Sequence, residues 1–515
     1  MASYQMEKLG TREAAGVLRV GVGTTQSAKD KAVPTTSGAS DKLVVALKPG
    51  NAGGAKGLTR MRWDARERTP GLGTGARFKT QLASLTLRAE RGRKYRFTAL
   101  MHLITEDSLK ACFWDLARNK APGIDRVTMT EYEADLEENI RGLLARLKAR
   151  TYRPQPVKRV YIPKPNGKQR PLGIPAVEDK VVQMACKKIL EAIFEVDFLD
   201  TSYGFRPNRG CHDALDDLSR TVMCQPVNFI VDCDIERFFD TVSHKTLLRC
   251  LRERIADEAF VSLIVRFLNA GAICEGRYEP ATDGTPQGSV ISPILANIYL
   301  HYILDLWFDR RVRRSLKGFA RLIRYADDFV VGFRYEWEAR GFMNALRERL
   351  SEHGLWIAKA KSRLIEFGRR PWAKAQRLGK RLATFDFLGI THYCDRGRAG
   401  GFKLGRRTAR TRQNRALTGI SEWLRRVRNL VPLRQWWPIF VAKLRGHYNY
   451  YGIGGNLRSL QIVNDRAKWL AYRWINRRSQ KRSYDLEQYE RWLKYHPLPK
   501  PRVCHGYPVL VRMQS

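Results

Sequence analysis

Residues 322–333 read Leu322-Ile-Arg-Tyr-Ala-Asp-Asp-Phe-Val-Val-Gly-Phe333, two short runs of strand-forming residues with an acidic pair between them. Aromatic and β-branched residues favour strands, and Ala-Asp-Asp between two such runs is typical of a turn. The segment therefore predicts a β-hairpin with Asp327 and Asp328 at its tip. A second run at residues 229–235, Phe-Ile-Val-Asp-Cys-Asp-Ile, predicts a strand whose Asp232 and Asp234 share one face, because side chains alternate along a strand.

Helical patterns precede these acidic segments. Thr105 is a good helix start, and Thr130 and Glu133 have the spacing of a capping box ahead of an apolar face at residues 136–147. Residues 1 to about 80 show no sustained helical or strand period and the pattern changes from about residue 95, so we expect order to begin near the helix that starts at Thr105.

Further elements alternate along the chain. Residues 161–175 punctuate short apolar runs with Pro and Gly, which predicts a hairpin with a cationic loop. Residues 292–308 predict an apolar, central helix, and residues 416–430 and 436–451 predict two more helices. We therefore expect an α+β fold with helices packed on a small antiparallel sheet.

The composition points to a polyanionic partner. Lysine and arginine outnumber aspartate and glutamate by 93 to 51 in 515 residues, which leaves a net charge of +42. The sequence contains neither 18 consecutive apolar residues nor a signal-peptide pattern, so we expect no membrane insertion and no secretion. The nine cysteines form no CxxC pair, which argues against a zinc ribbon and favours reduced, structural thiols.

The acidic residues suit metal-dependent phosphoryl transfer. Nucleotidyl transfer uses two divalent ions about 4 Å apart, and Mg²⁺ takes one or two carboxylates together with substrate phosphates. A single aspartate in a turn is more often a hydrogen-bonding turn residue. The combination of Asp234 with Asp327 and Asp328 on separate strands is what favours a metal site.

The motifs around these acids resemble those of reverse transcriptases. Tyr325-Ala-Asp-Asp328 is similar to the YxDD box of that family, and Asp234-Ile-Glu-Arg-Phe-Phe-Asp240 is similar to its upstream aspartate motif. The resemblance implies that Asp234, Asp327 and Asp328 are catalytic and hold two Mg²⁺ ions, with the backbone carbonyl of Ile235 as a further ligand. It also implies that Asp232 and Asp240 are not ligands.

Other motifs of the resemblance imply a pocket for a deoxynucleoside triphosphate (dNTP). Residues 284–293 resemble the family's PQG motif, residues 161–175 its fingers segment, and residues 360–367 its EKT box with Ala360 in place of the acid. The implied dNTP-binding residues are Lys164, Arg170, Phe239, Gln287, Gly288 and Lys361. Phe239 would exclude a 2′-hydroxyl, although by spacing alone either Phe238 or Phe239 could be the core residue. Phe387, Leu388 and Gly389 lie in a segment that resembles the primer grip.

Several segments resemble the group II intron branch of the family in particular. They are residues 170–175, 202–214 and 385–394, and the whole resemblance runs from about residue 85 to 485. After residue 395 the chain holds 27 Lys and Arg against 5 Asp and Glu, together with six of its twelve tryptophans. This part resembles the maturase segment, which implies RNA contacts from Arg445, His447, Arg477, Arg478 and Lys481, with His447 a packing or RNA-contacting residue and not a catalyst. After Pro497-Leu-Pro-Lys-Pro501 the one remaining cysteine is Cys504, whereas the endonuclease domain of many relatives has paired cysteines. We therefore expect no endonuclease domain.

The resemblance implies a right-hand polymerase followed by an α-helical thumb. We expect a basic, partly flexible extension at 1–84, fingers and palm at 85–393 with a core at about 144–390, a maturase-specific thumb at 394–485 and a basic tail at 486–515. The expected partners are a group II intron RNA, a DNA primer or target and dNTPs, in the bacterial cytoplasm or nucleoid. A homodimer is left open.

Three alternatives remain at this point. One is a splicing maturase with a vestigial polymerase, against which the intact Asp234, Asp327, Asp328, Phe239 and Gln287 argue. A second is a domesticated or defence-associated reverse transcriptase, which the unusual first 80 residues leave open. An RNA-directed RNA polymerase fits less well, because Phe239 should clash with a 2′-hydroxyl.

Overall fold

The computed structural model describes residues 75–163, 167, 169–358, 362–478 and 483–507. The chain divides into residues 1–49 and 50–515, and every described residue belongs to the second unit. In this part of the chain the expected fold class is confirmed: helices surround three small sheets and are followed by a helical C-terminal region.

The elements are numbered in chain order. Those up to residue 224 are α1 (Ala76–Arg91), α2 (Glu106–Trp114), α3 (Met129–Ala134), α4 (Leu136–Lys148), β1 (Val157–Pro163), β2 (Gln169–Ile174), α5 (Val177–Phe194) and α6 (Cys211–Cys224). Those from 229 to 315 are β3 (Phe229–Asp234), α7 (Phe238–Thr241), α8 (His244–Arg252), α9 (Glu258–Asn269), β4 (Ala272–Cys274), β5 (Arg277–Glu279), α10 (Ser292–Leu300) and α11 (Arg313–Ser315).

The remaining elements are further strands and the helices of the C-terminal region. They are β6 (Ala320–Tyr325), β7 (Asp328–Phe333), α12 (Glu336–Ser351), β8 (Arg363–Glu366), α13 (Arg369–Arg377), β9 (Phe385–Phe387), β10 (Ile390–Arg396), β11 (Phe402–Thr408), α14 (Arg410–Leu430), α15 (Leu433–Tyr451), α16 (Leu457–Ile475) and α17 (Leu486–Tyr495).

Three sheets organise the described residues. The palm sheet has the strand order β6-β7-β3-β8 and is antiparallel throughout. A second sheet, β2-β1-β4-β5, contains the expected hairpin of residues 161–175 as β1 and β2. The third, β11-β10-β9, connects the palm to the C-terminal helices. The palm sheet thus brings β3 directly beside the hairpin of β6 and β7.

Helices α5 and α10 contribute to the hydrophobic core that also contains residues of β3 and β7. Val181, Val182 and Ile189 of α5 are completely buried, as are Leu295 and Ile298 of α10. Burying each such side chain stabilises the fold by roughly 1.5–3 kcal/mol. None of the helices in the described ranges combines the length and apolarity that crossing a bilayer requires.

Two sequence predictions in the N-terminal part were wrong. The first described helix is α1, which begins at Ala76, because Phe78, Leu85 and Ala89 bury an apolar stripe hidden among many basic residues. The capping box is formed by Thr128 and Glu131, not by Thr130 and Glu133, and it starts the short α3 ahead of α4. The Thr105 start was confirmed, since its side chain accepts a hydrogen bond from the Ser108 amide.

Candidate active site

The palm sheet brings the three aspartates to one of its ends. In the register of β3 and β7, Asp234 lies opposite Asp328, and Asp327 belongs to the turn that joins β6 to β7. Residues directly opposite each other in an antiparallel pair have Cα atoms roughly 4.5–5.5 Å apart. All three side chains are half-buried. The predicted hairpin is confirmed, with Asp328 as the first residue of the returning strand.

The turn itself has a constrained backbone. Ala326 adopts a φ of 57°, a left-handed conformation that a non-glycine residue rarely takes. Gly204 packs against it so closely that a Cβ added to Gly204 would lie 2.5 Å from the Ala326 nitrogen. The Tyr203 amide also donates to the Arg324 carbonyl at 2.9 Å. The segment at 202–214, which resembles the group II intron branch in sequence, thus supports the aspartate turn.

A buried arginine supports the turn from below. Arg324 is fully buried and donates to both carboxylate oxygens of Asp305 at 2.7 and 2.6 Å. It also donates to the Ala326 carbonyl at 3.0 Å, to the Asn297 side chain at 3.1 Å and to the Ser202 hydroxyl at 2.7 Å. Asp305 lies in a π-helical segment, His301–Asp305, a feature frequent at functional sites. We had not predicted this role for Arg324, although an arginine between Ile323 and Tyr325 in an apolar run was its signal.

The two acids that the resemblance excludes have other surroundings. Asp232 is buried, and its carboxylate lies 3.2 Å from the Arg363 guanidinium. The two residues are opposite each other in the register of β3 and β8. Burial raises the pKa of the Asp232 carboxyl to about 6, while Arg363 acts in the opposite direction. Asp240 is exposed on α7. Their exclusion stays a prediction, and these contacts are compatible with it.

The three aspartates offer carboxylate oxygens as donors, which fits Mg²⁺. Asp234 and Asp328 face each other across two strands, and Asp327 is adjacent to Asp328. Within the described ranges no three acidic, histidine or cysteine side chains are close enough to form a complete metal cluster by themselves. A site completed by substrate phosphates and water would need only these few carboxylates.

The backbone of Asp234 and Ile235 is held by the segment after α12. The Asp234 carbonyl accepts a hydrogen bond from the Ala358 amide at 2.9 Å, and Ile235 forms an isolated β-bridge with Ile357. The Ile235 side chain is buried. Lys361, predicted to bind the dNTP, lies outside the described residues, as do Lys164 and Lys481.

The PQG loop is hydrogen-bonded both to β2 and to the start of α7. The Gly173 amide donates to the Gln287 carbonyl at 2.7 Å, and the Thr285 amide donates to the Phe239 carbonyl at 2.7 Å. Gly288 has a φ of 108°, and a Cβ there would lie 2.7 Å from the Gly173 carbonyl oxygen. The predicted residues Phe239, Gln287 and Gly288 therefore lie on two connected segments.

The alternative between Phe238 and Phe239 is resolved by burial. Phe238 is 2% exposed and packs in the core against Tyr299, with 6.1 Å between ring centroids. Phe239 is only half-buried and contacts Phe238 edge to face. Phe238 is thus the core residue of the pair, and Phe239 packs partly buried against that core. Arg170 is exposed on β2, opposite Ile162 of β1.

The predicted primer-grip residues form the turn between β9 and β10. Phe387 is buried, whereas Leu388 and Gly389 adopt positive φ values of 51° and 79°. The Tyr450 hydroxyl donates to the Leu388 carbonyl at 2.9 Å, so helix α15 contacts this turn directly. We had not singled out Tyr450, because nothing in its local pattern indicates so distant a partner.

The predicted RNA-binding residues differ in their surroundings. Arg445, Arg477 and Arg478 are exposed. The His447 ring lies 4.7 Å from that of Tyr451, and burial lowers the pKa of His447 to about 4, so it is neutral at pH 7. These contacts favour packing for His447, and the exposed arginines remain candidates for phosphate contacts.

Comparisons with known proteins agree with the motifs. The profile of a family described as reverse transcriptase (RNA-dependent DNA polymerase) matches residues 162–392. The chain is similar to Protein YkfC of Escherichia coli strain K12, with 36% identity over 300 residues that form 50% of this chain and 78% of that protein.

Among the other similar proteins are some whose names mention an intron. The group II intron-encoded protein LtrA of Lactococcus lactis subsp. cremoris is 40% identical over 222 residues, which form 42% of this chain and 37% of LtrA. An uncharacterized 91 kDa protein in the cob intron of Schizosaccharomyces pombe is 35% identical over 220 residues, 42% of this chain and 24% of that protein. The matches cover most of YkfC but less than half of the two intron proteins.

Proposed function

This chain belongs to the group II intron-encoded reverse transcriptases, and from that premise we propose that it binds a group II intron RNA, assists the splicing of that RNA and copies it into DNA during intron mobility. One observation above all supports the proposal: the register of the palm sheet sets Asp234 opposite Asp328, beside the turn that carries Asp327. The net charge of +42 suits a polyanionic template and intron.

In the proposed reaction a primer 3′-hydroxyl attacks the α-phosphate of a dNTP in line, and pyrophosphate leaves. Asp234, Asp327, Asp328 and the Ile235 carbonyl would hold two Mg²⁺ ions, which when bound activate the hydroxyl and stabilise the charge on the leaving group. Asp327 and Asp328 would be kept in place by the buried network of Arg324 beneath their turn.

The neighbouring residues would orient the nucleotide and the primer. Gln287 and Gly288 would line the dNTP pocket, where the glycine allows close approach of the backbone. The half-buried ring of Phe239 would exclude a 2′-hydroxyl, and Lys164, Arg170 and Lys361 would pair with phosphate charges. Phe387, Leu388 and Gly389 would position the primer strand.

The proposal also assigns regions of the chain. Residues 85–393 would form fingers and palm, 394–485 the thumb with RNA contacts from Arg445, Arg477, Arg478 and Lys481, and 486–515 a basic tail. The proposed boundary between residues 84 and 85 falls inside α1. The proposed partners, an intron RNA, a DNA primer or target and dNTPs, place the protein in the bacterial cytoplasm or nucleoid.

Primer extension on an RNA template tests the polymerase. With dNTPs and Mg²⁺, the wild type should extend the primer, and Asp327→Ala should lower the rate roughly a thousandfold or more, because a metal-binding carboxylate is lost. Asp240→Ala, which removes an exposed acid of the same motif, should extend normally. A folded, intron-binding wild type that extends no primer would favour a maturase without polymerase activity.

A further inference from the structure

Residues 502–507 lie against the loop between α15 and α16. The amides of Cys504 and His505 both donate to the Gly452 carbonyl, at 2.7 and 2.8 Å, and the Gly454 amide donates to the His505 carbonyl at 2.7 Å. Ile453 and His505 form a parallel β-bridge. This tail segment is therefore attached to the helical region through its backbone.

The side chains of the same segment contact α6 of the palm and strand β11. The His505 ring stacks on that of His212, at the start of α6, with 3.7 Å between centroids and an interplanar angle of 17°. The guanidinium carbon of Arg406, on β11, lies over the Tyr507 ring, 4.3 Å from the ring centroid. Both contacts join the tail to elements that precede the thumb helices in the chain.

Arg406 occupies the centre of this junction. It is 1% exposed and donates to the Gly454 carbonyl at 3.1 Å and to the Ser219 hydroxyl at 3.2 Å. A Cβ added to Gly455 would lie 2.3 Å from the Tyr507 hydroxyl oxygen, so the loop leaves room for that ring only because glycine is present. The site that holds the Tyr507 ring is thus formed by β11 and the loop between α15 and α16.

The junction continues to the primer-grip turn. His212 Nε2 lies 2.8 Å from the Tyr450 carbonyl, and because a carbonyl can only accept, Nε2 carries the proton. The Tyr450 hydroxyl in turn donates to the Leu388 carbonyl at 2.9 Å. An unbroken series of contacts therefore runs from His505 through His212 and Tyr450 to Leu388.

We propose that residues 502–507 are a clasp that fixes the helical region to the palm and thereby holds the primer-grip turn in position. His505 and Tyr507 are positioning residues that act through His212, Arg406 and Tyr450. The clasp rests on the proposed function, because it matters for catalysis only if Phe387–Gly389 hold a primer. It gives the tail a role in polymerisation in place of a purely electrostatic role in RNA binding.

Steady-state kinetics of the full chain test the clasp. His505→Ala and Tyr507→Ala should each raise the KM for primer–template about five- to tenfold and leave the KM for dNTP unchanged, because only the primer side of the site loses support. His505→Phe and Tyr507→Phe should restore the wild-type KM, since both keep the ring. His496→Ala is the matched control, because His496 stacks on Trp492 of α17 and not on the palm.

Three results would overturn the clasp. One is a wild-type KM for primer–template in folded alanine variants, and another is a phenylalanine variant as defective as its alanine counterpart. An equal rise in the KM for dNTP would also contradict it. If the wild type extends no primer, the proposed function fails separately, and hydrogen exchange then decides: the amides of residues 389–391 should exchange faster in His505→Ala, and unchanged exchange would refute the clasp.

Discussion

The aspartate hairpin, residues 322–333, and the palm–tail junction, the contacts that link His505 through His212 and Tyr450 to Leu388, are built in opposite ways. In the hairpin, Asp327 and Asp328 come from one local turn and Asp234 from the adjacent strand, and continuous ladders of β3, β6 and β7 hold their register. In the junction, His212, Leu388 and His505 come from segments far apart in the chain and meet through single contacts. A ladder specifies position redundantly, whereas His505 with His212, His212 with Tyr450 and Tyr450 with Leu388 are each joined by one contact.

The difference concerns energy as well as geometry. A ligand carboxylate is required in full for metal-dependent transfer, so its loss should act nearly as all or none. A single stacking or hydrogen-bonding contact is worth only about 0.5–1.5 kcal/mol, so its loss should be graded. We therefore expect large effects at the hairpin and small ones at the junction.

The largest effect should come from Asp234→Asn. The variant keeps the shape of the side chain but removes its charge, so the rate of primer extension should fall roughly a thousandfold. Asp232→Asn, two residues earlier on the same strand, should keep a rate within a few-fold of the wild type, because its side chain pairs with Arg363. Equal losses in both variants would show that the strand as a whole, and not the metal site, was disturbed.

Arg324→Met should affect both stability and rate. It leaves the fully buried Asp305 without its partner, which should lower the free energy of unfolding by about 3–5 kcal/mol, measured by denaturant titration. The double variant Arg324→Met with Asp305→Leu should recover much of that stability. Its extension rate should stay low, because the Ala326 carbonyl still lacks its donor. Full recovery of both quantities would mean that the network serves stability alone.

Phe239→Ala should change the choice of sugar. Without this ring the preference for dNTPs over ribonucleotides should fall by about tenfold, as measured by competing incorporation. Phe238→Leu is the matched control: it should lower stability, because Phe238 is in the core, and leave the preference intact. An unchanged preference in Phe239→Ala would refute the assignment and reopen the RNA polymerase alternative.

Tyr450→Phe should have the smallest effect. It removes only the hydrogen bond to the Leu388 carbonyl, so the KM for primer–template should rise about two- to threefold. Tyr448→Phe, in the same helix as Tyr450, removes the hydrogen bond to Asn464 of α16 and should leave that KM unchanged. A loss as large as that of Asp234→Asn would contradict the graded character of the junction.

Local patterns predicted the elements that depend on neighbours in the sequence. The Thr105 helix start, the hairpin of residues 322–333 and the helices at 416–430 and 436–451 were confirmed, because caps and apolar periods act within a few residues. Helix α1 was missed because its apolar stripe is sparse among basic residues. Arg324 and Tyr450 were missed because their partners lie on other segments.

The amino-acid sequence by itself determined the family, the α+β class and the identity of the candidate metal-binding acids, since these depend on residue types at short spacing. Only the tertiary structure decided that Phe238 and not Phe239 enters the core, that Arg324 donates to the aspartate turn and that the tail reaches His212. The physical reason is that burial and contacts between distant segments depend on how elements pack, and a local pattern does not specify that packing.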